Sequence, residues 1–505
     1  MIFFFNKFKL SRISLNVFII IGCFGLDKIL AFVRAGITSR MYRDSVHLLD
    51  TFNAANNLPD LLFALISGGA LGMAFIPLLT EYLTKKDRAA AWDLFSRVAN
   101  LAFIVTGAFA ILIAFFANQI ADTVIAPGFS VDQRLLLADL MRLNLVGTVI
   151  FSISGLVMAS LQANQHFLLP ALAPVAYNVG QIFGALVLVP RFGIRGLVYG
   201  VILGAVFHLL IQVPALFRFG FRWTPSLDLR HSGLLEALKL MLPRLLTMSA
   251  IQLIFILRDN FASRLDQPGA VTALTLGWMI MQVPETLLGT AVATAMLPAL
   301  SEMAARGDWT AFRATLERAL RMLIALTLPI AAVMAAGMAP LVRVVFDFDP
   351  ATSTLITWTT RAFLFTLTGY TLHEVAVRAF YARKTPLIPL ATALLRLGLF
   401  VGIAWLGVTA FKSIGAPVIA LAEFALFFEA LLLFVLLARR LNESFQVITA
   451  ILKGLAAALV GGCVAYLLAL YLPGGAFVTA LAGMTVGGLL ALLIVWREFR
   501  LLFQL

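Results

Sequence analysis

Only a few charged residues lie inside the long apolar stretches of this 505-residue chain, and they are the candidates for chemistry. Asp27, Lys28 and Arg34 lie in the first stretch, and Arg258 and Asp259 lie together in a later one. Ionisable groups inside a bilayer are costly, so they usually mark a functional site or a neutralised pair. Because Asp27 and Arg34 are seven residues apart, they share one face of a helix.

Basic groups predominate in this set and predict an anion site. The candidate ligands of a diphosphate are Lys28, Arg34 and Arg258, since a guanidinium donates two parallel hydrogen bonds and keeps its charge. Nearby acidic and amide groups are candidate charge partners or gating residues: Asp27, Asp50, Asp259 and Gln282. The alternative is that Asp27–Arg34 and Arg258–Asp259 are structural pairs that only neutralise each other.

Two further charges predict a structural ion pair. Arg396 and Glu423 occur at similar depth in neighbouring apolar stretches, on either side of the loop that joins them. The five histidines show no metal-ligand spacing, so no metal site is expected. Cys23 and Cys463 both lie in apolar stretches and provide no disulfide framework.

The sequence lacks the motifs of a self-powered pump or an enzyme. It contains no glycine-rich phosphate loop with Lys-Ser or Lys-Thr. No Ser/His/Asp or paired-carboxylate grouping stands out for catalysis. We therefore expect a secondary transporter without a cofactor, driven by the membrane potential, the substrate gradient or an ion gradient such as that of a monovalent cation.

Composition places almost the whole chain in a membrane. Hydrophobic residues make up 61% of it and charged residues 12%, whereas soluble domains carry about 25% charged residues. The mean hydropathy is +0.98. The net charge of +13 does not form one patch, because the basic residues separate apolar stretches. This pattern follows the positive-inside rule and argues against a nucleic-acid partner.

An α-helix needs about 20 apolar residues to cross a bilayer. Fourteen stretches meet this requirement: 13–38, 47–79, 94–117, 135–163, 168–190, 194–217, 237–263, 270–300, 312–337, 353–382, 386–409, 414–438, 446–471 and 475–496. The first contains charges and is predicted to be a span rather than a cleavable signal. An even number places both termini on one side. That side collects more than twice as many Lys and Arg as the other, which predicts cytoplasmic termini.

An internal repeat divides the spans. The segment PLLTEYLTKKDRAAAWDLFSRV around Pro77 matches PALSEMAARGDWTAFRATLERA around Pro298, 221 residues later, and LQANQHFLLP matches FYARKTPLIP at nearly the same offset. The repeat predicts two six-helix lobes of parallel topology related by a pseudo-twofold axis, with a central cavity between them. The predicted parts are an N-terminal lobe (1–217), a cytoplasmic linker (218–236), a C-terminal lobe (237–438) and two extra spans (439–505). Span 47–79 is expected to bend at Pro59, Gly68, Gly69 and Gly72.

The sequence resembles the MurJ/MviN family of lipid II flippases, within the multidrug/oligosaccharidyl-lipid/polysaccharide exporter superfamily. The resemblance covers essentially the whole chain in the right order. Among its matching stretches are AFVRAGITSRMY (31–42), LDTFNAANNLPDLLFALISGGALGMAFIPLLTEYL (49–83), LQANQHFLLPALAPVAYNVGQI (161–182), QVPETLLGTAVATAMLPALSEMAARGDW (282–309) and RAFYARKTP (378–386).

The resemblance implies a polytopic all-α protein of the bacterial inner membrane that flips lipid II by alternating access during cell-wall biosynthesis. It implies that Arg34, Lys28 and Asp50 bind or gate the lipid-linked diphosphate sugar. Membrane lipids and the cell-wall synthesis machinery are further candidate partners. Several charges of the family pattern are replaced, by Ala35, Phe63, Ala64, Met279 and Gln282. Two alternatives therefore stay open: a flippase for another polyprenyl-diphosphate-linked oligosaccharide, or a cation-coupled multidrug antiporter. A non-transporting scaffold for cell-wall assembly is a third.

Overall fold

The computed structural model describes residues 12–65, 70–85, 87–228 and 230–501, and within these ranges the chain is helical and contains no strand. The helices in chain order are α1 (Arg12–Met41), α2 (Val46–Ala55), α3 (Asn57–Phe63), α4 (Ala70–Lys85), α5 (Arg88–Phe115), α6 (Ala117–Ile120), α7 (Val131–Ala163), α8 (Leu168–Phe183), α9 (Val189–Phe192), α10 (Arg195–Leu210), α11 (Val213–Arg218), α12 (Ser232–Ser263), α13 (Ala270–Glu285), α14 (Ala291–Arg306), α15 (Trp309–Phe346), α16 (Pro350–Ala382), α17 (Leu387–Ala410), α18 (Ala416–Ala422), α19 (Ala425–Leu441), α20 (Ile448–Tyr471), α21 (Ala476–Ile494) and α22 (Trp496–Phe499). Three π-helical turns, Ala121–Ile125, Gly184–Leu188 and Thr286–Thr290, extend α6, α8 and α13.

Helices occupy all fourteen predicted spans, which confirms the all-α membrane fold. Ten of the described helical segments are long and apolar enough to cross a bilayer. The other four predicted spans correspond to α1, to α2–α4, to α12 and to α16.

The predicted bend in span 47–79 is a break between α2 and α3. Pro59 has no backbone N–H, and in a continuous helix its ring would clash with the carbonyl of Ala55. Helix α2 therefore ends at Ala55. The side chains of Asn56 and Asn57 donate, each at 3.1 Å, to backbone carbonyls of the preceding turn. The two amides thus replace part of the backbone hydrogen bonding that proline removes.

The first compact unit comprises Met1–Tyr42 and Thr51–Ile256. In it, α1 packs on α8, and α7 packs on α4, α5 and α10. The apolar core of this unit includes Phe75, Trp92 and Phe95, all almost fully buried. The Trp92 indole donates to the carbonyl of Phe219 at 3.1 Å, so the chain that follows α11 lies along α5.

Glycines set the contact between α8 and α10 in this unit. A Cβ placed on Gly180 would lie 2.4 Å from Cα of Gly204. A Cβ placed on Gly184, where α8 passes into its π-helical turn, would lie 2.3 Å from Cα of Gly200. The two backbones therefore touch directly, as in other small-residue helix interfaces in membranes.

The second compact unit comprises Arg43–Asp50 and Leu257–Leu505. In it, α15 packs on α16, α20 and α21, while α16 also contacts α13, α18 and α19. The helices α20 and α21 pack closely, because a Cβ on Gly487 would lie 2.3 Å from the carbonyl oxygen of Gly461. The predicted division into two lobes, a linker and a C-terminal helix pair stays a prediction.

The repeat has the same local structure in both copies. Asp87 caps α5 by accepting from the N–H of Ala90 at 2.7 Å, and Asp308 caps α15 by accepting from that of Ala311 at 2.9 Å. A second shared feature is the turn after α7 and after α16. There Gln165 and Lys384 adopt left-handed backbone conformations, with φ of 59° and 57°. Matching capping and turns at both offsets support the repeat.

Candidate functional site

Arg34 is the centre of a polar cluster in the first unit. It projects from α1 and donates to the side-chain oxygen of Gln181 on α8. Its charge interacts with the carboxylates of Asp27 and Asp60 and with Tyr177. Arg34 is half-buried, so this cluster holds a permanent positive charge at a position in a membrane span that small molecules can still reach.

Asp27 is held by a second amide on the same face of α8. Its carboxylate accepts from Nδ2 of Asn178 at 2.7 Å and also interacts with the charge of Lys28. Asn178 and Gln181 are three residues apart and thus neighbours on the surface of α8. The amide face of α8 therefore positions both charged groups that the sequence places on one face of α1. Lys28 itself is half-buried.

Sequence reasoning missed three members of this cluster: Asp60, Asn178 and Gln181. Asp60 follows Pro59 on α3 and is exposed, although it lies within a predicted span. A signal for it was present, since LPDLLF matches VPETLL of the second half and aligns Asp60 with Glu285. The two amides lie in one of the stretches that carry the family resemblance, but amides alone give no charge signal.

Asp50 belongs to the second unit and binds the beginning of a helix. Its two carboxylate oxygens accept from the backbone N–H groups of Gly269 and Thr272, at 2.6 and 2.7 Å. Gly269 precedes α13 with φ of +88°, a conformation that suits glycine. A buried carboxylate at the N-terminus of α13 satisfies free N–H groups and is stabilised by the helix dipole. These hydrogen bonds of Asp50 hold residues 43–50 against the N-terminus of α13 within this unit.

Arg258 and Asp259 form a buried pair on α12 of the second unit. Nε of Arg258 lies 2.9 Å from Oδ1 of Asp259, and their side chains are 6% and 2% exposed. The charge of Asp259 also acts on Asp50, and that of Arg258 acts on Tyr370. This geometry fits the structural-pair alternative for Arg258 at least as well as the role of a diphosphate ligand.

The remaining predicted residues occupy varied positions. Gln282 is half-buried on α13, and Pro59 is buried at the break between α2 and α3. Gly68 and Gly69 lie outside the described residues, whereas Gly72 lies within α4. Among the residues that the structure describes, no group of three or more His, Cys, Asp or Glu could hold a metal ion.

Arg396 and Glu423 lie in contact in the second unit. Nη2 of Arg396 is 2.9 Å from Oε2 of Glu423, and both side chains are almost fully buried. Tyr370 donates to the same carboxylate oxygen at 2.7 Å. Arg396 also approaches Glu429, with Nη1 3.9 Å from Oε2. The pair is therefore part of a larger buried network.

The many membrane-length helices define the class of multi-pass membrane proteins. The fold supports this class. A solved structure of lipid II flippase MurJ in an inward closed conformation matches with a TM-score of 0.80 at 20% identity, covering 96% of this chain and 99% of that one. An inward-facing multidrug resistance MATE family transporter of the MOP superfamily matches with a TM-score of 0.72 at 15% identity, covering 82% and 94%.

The chain belongs to the lipid II flippase MurJ family, whose sequence model matches residues 45–486. Among curated relatives, lipid II flippase MurJ of Burkholderia cenocepacia is 29% identical over 374 residues, which is 72% of each chain. A probable lipid II flippase MurJ of Vibrio cholerae is 28% identical over 354 residues, or 67% of each chain. Membership confirms the family that the sequence resemblance indicated.

Proposed function

We propose that this protein flips lipid II, the lipid-linked peptidoglycan precursor, from the cytoplasmic to the outer leaflet of the bacterial inner membrane. Family membership supports this function. The structural observation that carries it is the half-buried Arg34, which α8 positions beside Asp27 and Asp60. A guanidinium in a membrane span suits the diphosphate of a polyprenyl-linked sugar.

In this proposal the diphosphate replaces protein carboxylates as the counter-charge of Arg34. Lys28 on the same helix contributes a second positive charge. Asn178 and Gln181 keep the charged side chains of α1 in place while the ligand binds and leaves. Movement of two lobes alternates access to the two leaflets, and both termini face the cytoplasm.

The first prediction concerns Arg34→Ala. A hydrogen bond to a charged group contributes about 1.5–3 kcal/mol, so we expect the variant to bind lipid II about 10- to 100-fold more weakly than wild type. Native mass spectrometry of the purified full-length protein with lipid II measures this directly. In cells depleted of their own flippase, the variant should fail to restore growth.

Arg195→Ala is the matched control. Arg195 carries the same charge, but its guanidinium pairs with the exposed Asp139 at 2.6 Å. This variant should bind lipid II and support growth like wild type. Unchanged binding by Arg34→Ala would remove Arg34 from the site. Preference of the wild-type protein for an O-antigen precursor over lipid II would contradict the proposed substrate.

A further inference from the structure

A buried cluster in the second unit contains more acidic than basic groups. Arg396 of α17 faces two carboxylates, Glu423 and Glu429, whose side chains are each 1% exposed. Nη2 of Arg396 is 2.9 Å from Glu423, and Nη1 is 3.9 Å from Glu429. Whenever the nearby imidazole of His373 carries no proton, the two carboxylates and one guanidinium leave this cluster with one uncompensated negative charge. An uncompensated charge is costly in the interior of a membrane protein.

Hydrogen bonding shows which carboxylate is under-satisfied. Glu423 accepts from Tyr370 and Arg396. Oε1 of Glu429 accepts from the hydroxyl of Thr392 at 2.9 Å. Oε2 of Glu429 is buried and accepts no hydrogen bond of good geometry from the described residues. His373 of α16 places its Nε2 3.3 Å from that same oxygen.

Other charged groups near His373 have partners of their own. Glu374 pairs with Arg378 on α16, and Glu285 of α13 interacts with both charges. Both oxygens of Glu285 accept hydrogen bonds from threonine hydroxyls, unlike those of Glu429. On α12, Arg258 acts on Tyr370 but is paired with Asp259. None of these groups supplies the charge that Glu429 lacks.

We propose that Glu429 and His373 form a proton-binding site, in which one proton is shared between Oε2 of the carboxylate and Nε2 of the imidazole. The proton comes from water and returns to water, and its arrival makes the cluster neutral. A metal cation fits less well, because the Arg396 guanidinium lies 3.9 Å from the same oxygen and would repel it. Imidazole is the side chain whose ordinary chemistry suits it to bind and release protons near neutral pH.

The proton-binding site is connected to Arg258, a residue that the sequence predicts to bind the substrate. Tyr370 donates to Glu423, its ring lies under the guanidinium of Arg396, and it interacts with the charge of Arg258. Protonation of the Glu429–His373 pair changes the charge that this network places on Arg258. On the basis of the proposed function, the site would couple proton movement to lipid II flipping, since proton and anion binding favour each other in one network.

Infrared difference spectra between acidic and alkaline buffers test the proton site without any lipid substrate. Purified full-length wild-type protein should show a protonation signal of a carboxyl or imidazole group that follows the pH of the buffer. Glu429→Gln and His373→Gln should each lose that signal. Glu285→Gln, the matched control for a buried glutamate with donors on both oxygens, should keep it. An identical signal in wild type, Glu429→Gln and His373→Gln would overturn the proposal.

Coupling is tested in proteoliposomes containing lipid II, with the membrane potential clamped at zero. We expect a pH gradient to accelerate flipping several-fold in wild type and in Glu285→Gln, and to have no effect in Glu429→Gln. A response to a sodium gradient instead, or a pH response retained by Glu429→Gln, would overturn the coupling. Absence of wild-type flipping under every gradient would contradict the proposed function, whereas the infrared spectra decide the proton site by themselves.

Discussion

Arg34 and Asp60 carry opposite charges on two helices of the same unit, and an anion that binds Arg34 also experiences the charge of Asp60. Asp60 is exposed and its charge interacts with Arg34. A diphosphate that binds Arg34 therefore meets repulsion from Asp60. The carboxylate limits affinity and so favours release, which a transporter needs as much as binding.

This repulsion predicts that Asp60→Asn binds lipid II more tightly. Removal of a like charge that acts on the same site contributes on the order of 1 kcal/mol in a partly hydrated site, or about fivefold in affinity. Titration of the purified variant with lipid II by native mass spectrometry measures the change. Asp44→Asn, which removes an exposed carboxylate paired with Arg43, should leave the affinity unchanged. Weaker binding by Asp60→Asn would show that Asp60 supports the ligand instead of opposing it.

Contact between α8 and α10 determines where the amide face of α8 lies. Gly180 and Gly184 meet Gly204 and Gly200, so the two backbones touch without intervening side chains. On the neighbouring face of α8, Asn178 and Gln181 reach Asp27 and Arg34 of α1. The position of the cluster therefore depends on a packing contact that contains no charged residue.

We predict that Gly184→Ala destabilises the protein, because its Cβ would lie 2.3 Å from Cα of Gly200 and the backbone there must shift. Overpacking of this kind costs about 1–3 kcal/mol. Thermal unfolding of the purified protein in detergent should show a lower midpoint. Gly107→Ala is the control, since a Cβ at that position of α5 meets nothing within 4 Å. Equal midpoints for both variants would argue against direct backbone contact between α8 and α10.

Across the whole molecule, the features that sequence reasoning predicted are those that depend only on residue types and their spacing along the chain. Apolar stretches predicted the spans, because a bilayer demands long apolar helices. Asp87 and Asp308 could be matched by offset alone, and both cap helices. The contact between Arg396 and Glu423 was predictable because equal depth in neighbouring spans brings side chains together.

Features that depend on packing between distant segments were not predictable. Gln181 is 147 residues from Arg34 in the sequence. An uncharged amide in an apolar stretch does not indicate which residue it will contact. Asp50 stays a predicted gating or charge partner, and its hydrogen bonds to backbone N–H groups of α13 were not foreseen. The backbone is uncharged and identical at every residue, so no pattern of side chains reveals such a contact in advance.

Orientation in the membrane is a property of the whole chain, and α15 allows it to be tested with two residues. This helix has 38 residues and, at 1.5 Å per residue, is about 57 Å long, well beyond the roughly 30 Å hydrocarbon core. Ala305, before α15, and Ala351, after it, are both exposed. Cytoplasmic termini place Ala305 inside the cell and Ala351 outside.

We therefore expect a membrane-impermeant maleimide to label Ala351→Cys in intact spheroplasts and Ala305→Cys only after permeabilisation. Both variants are made in a chain whose native cysteines, Cys23 and Cys463, are replaced by alanine. That parent chain is the control for background labelling. The reverse pattern would contradict the cytoplasmic termini inferred from the distribution of Lys and Arg. Labelling of both positions from the outside would mean that α15 does not cross the membrane, so the number of crossings would no longer be even.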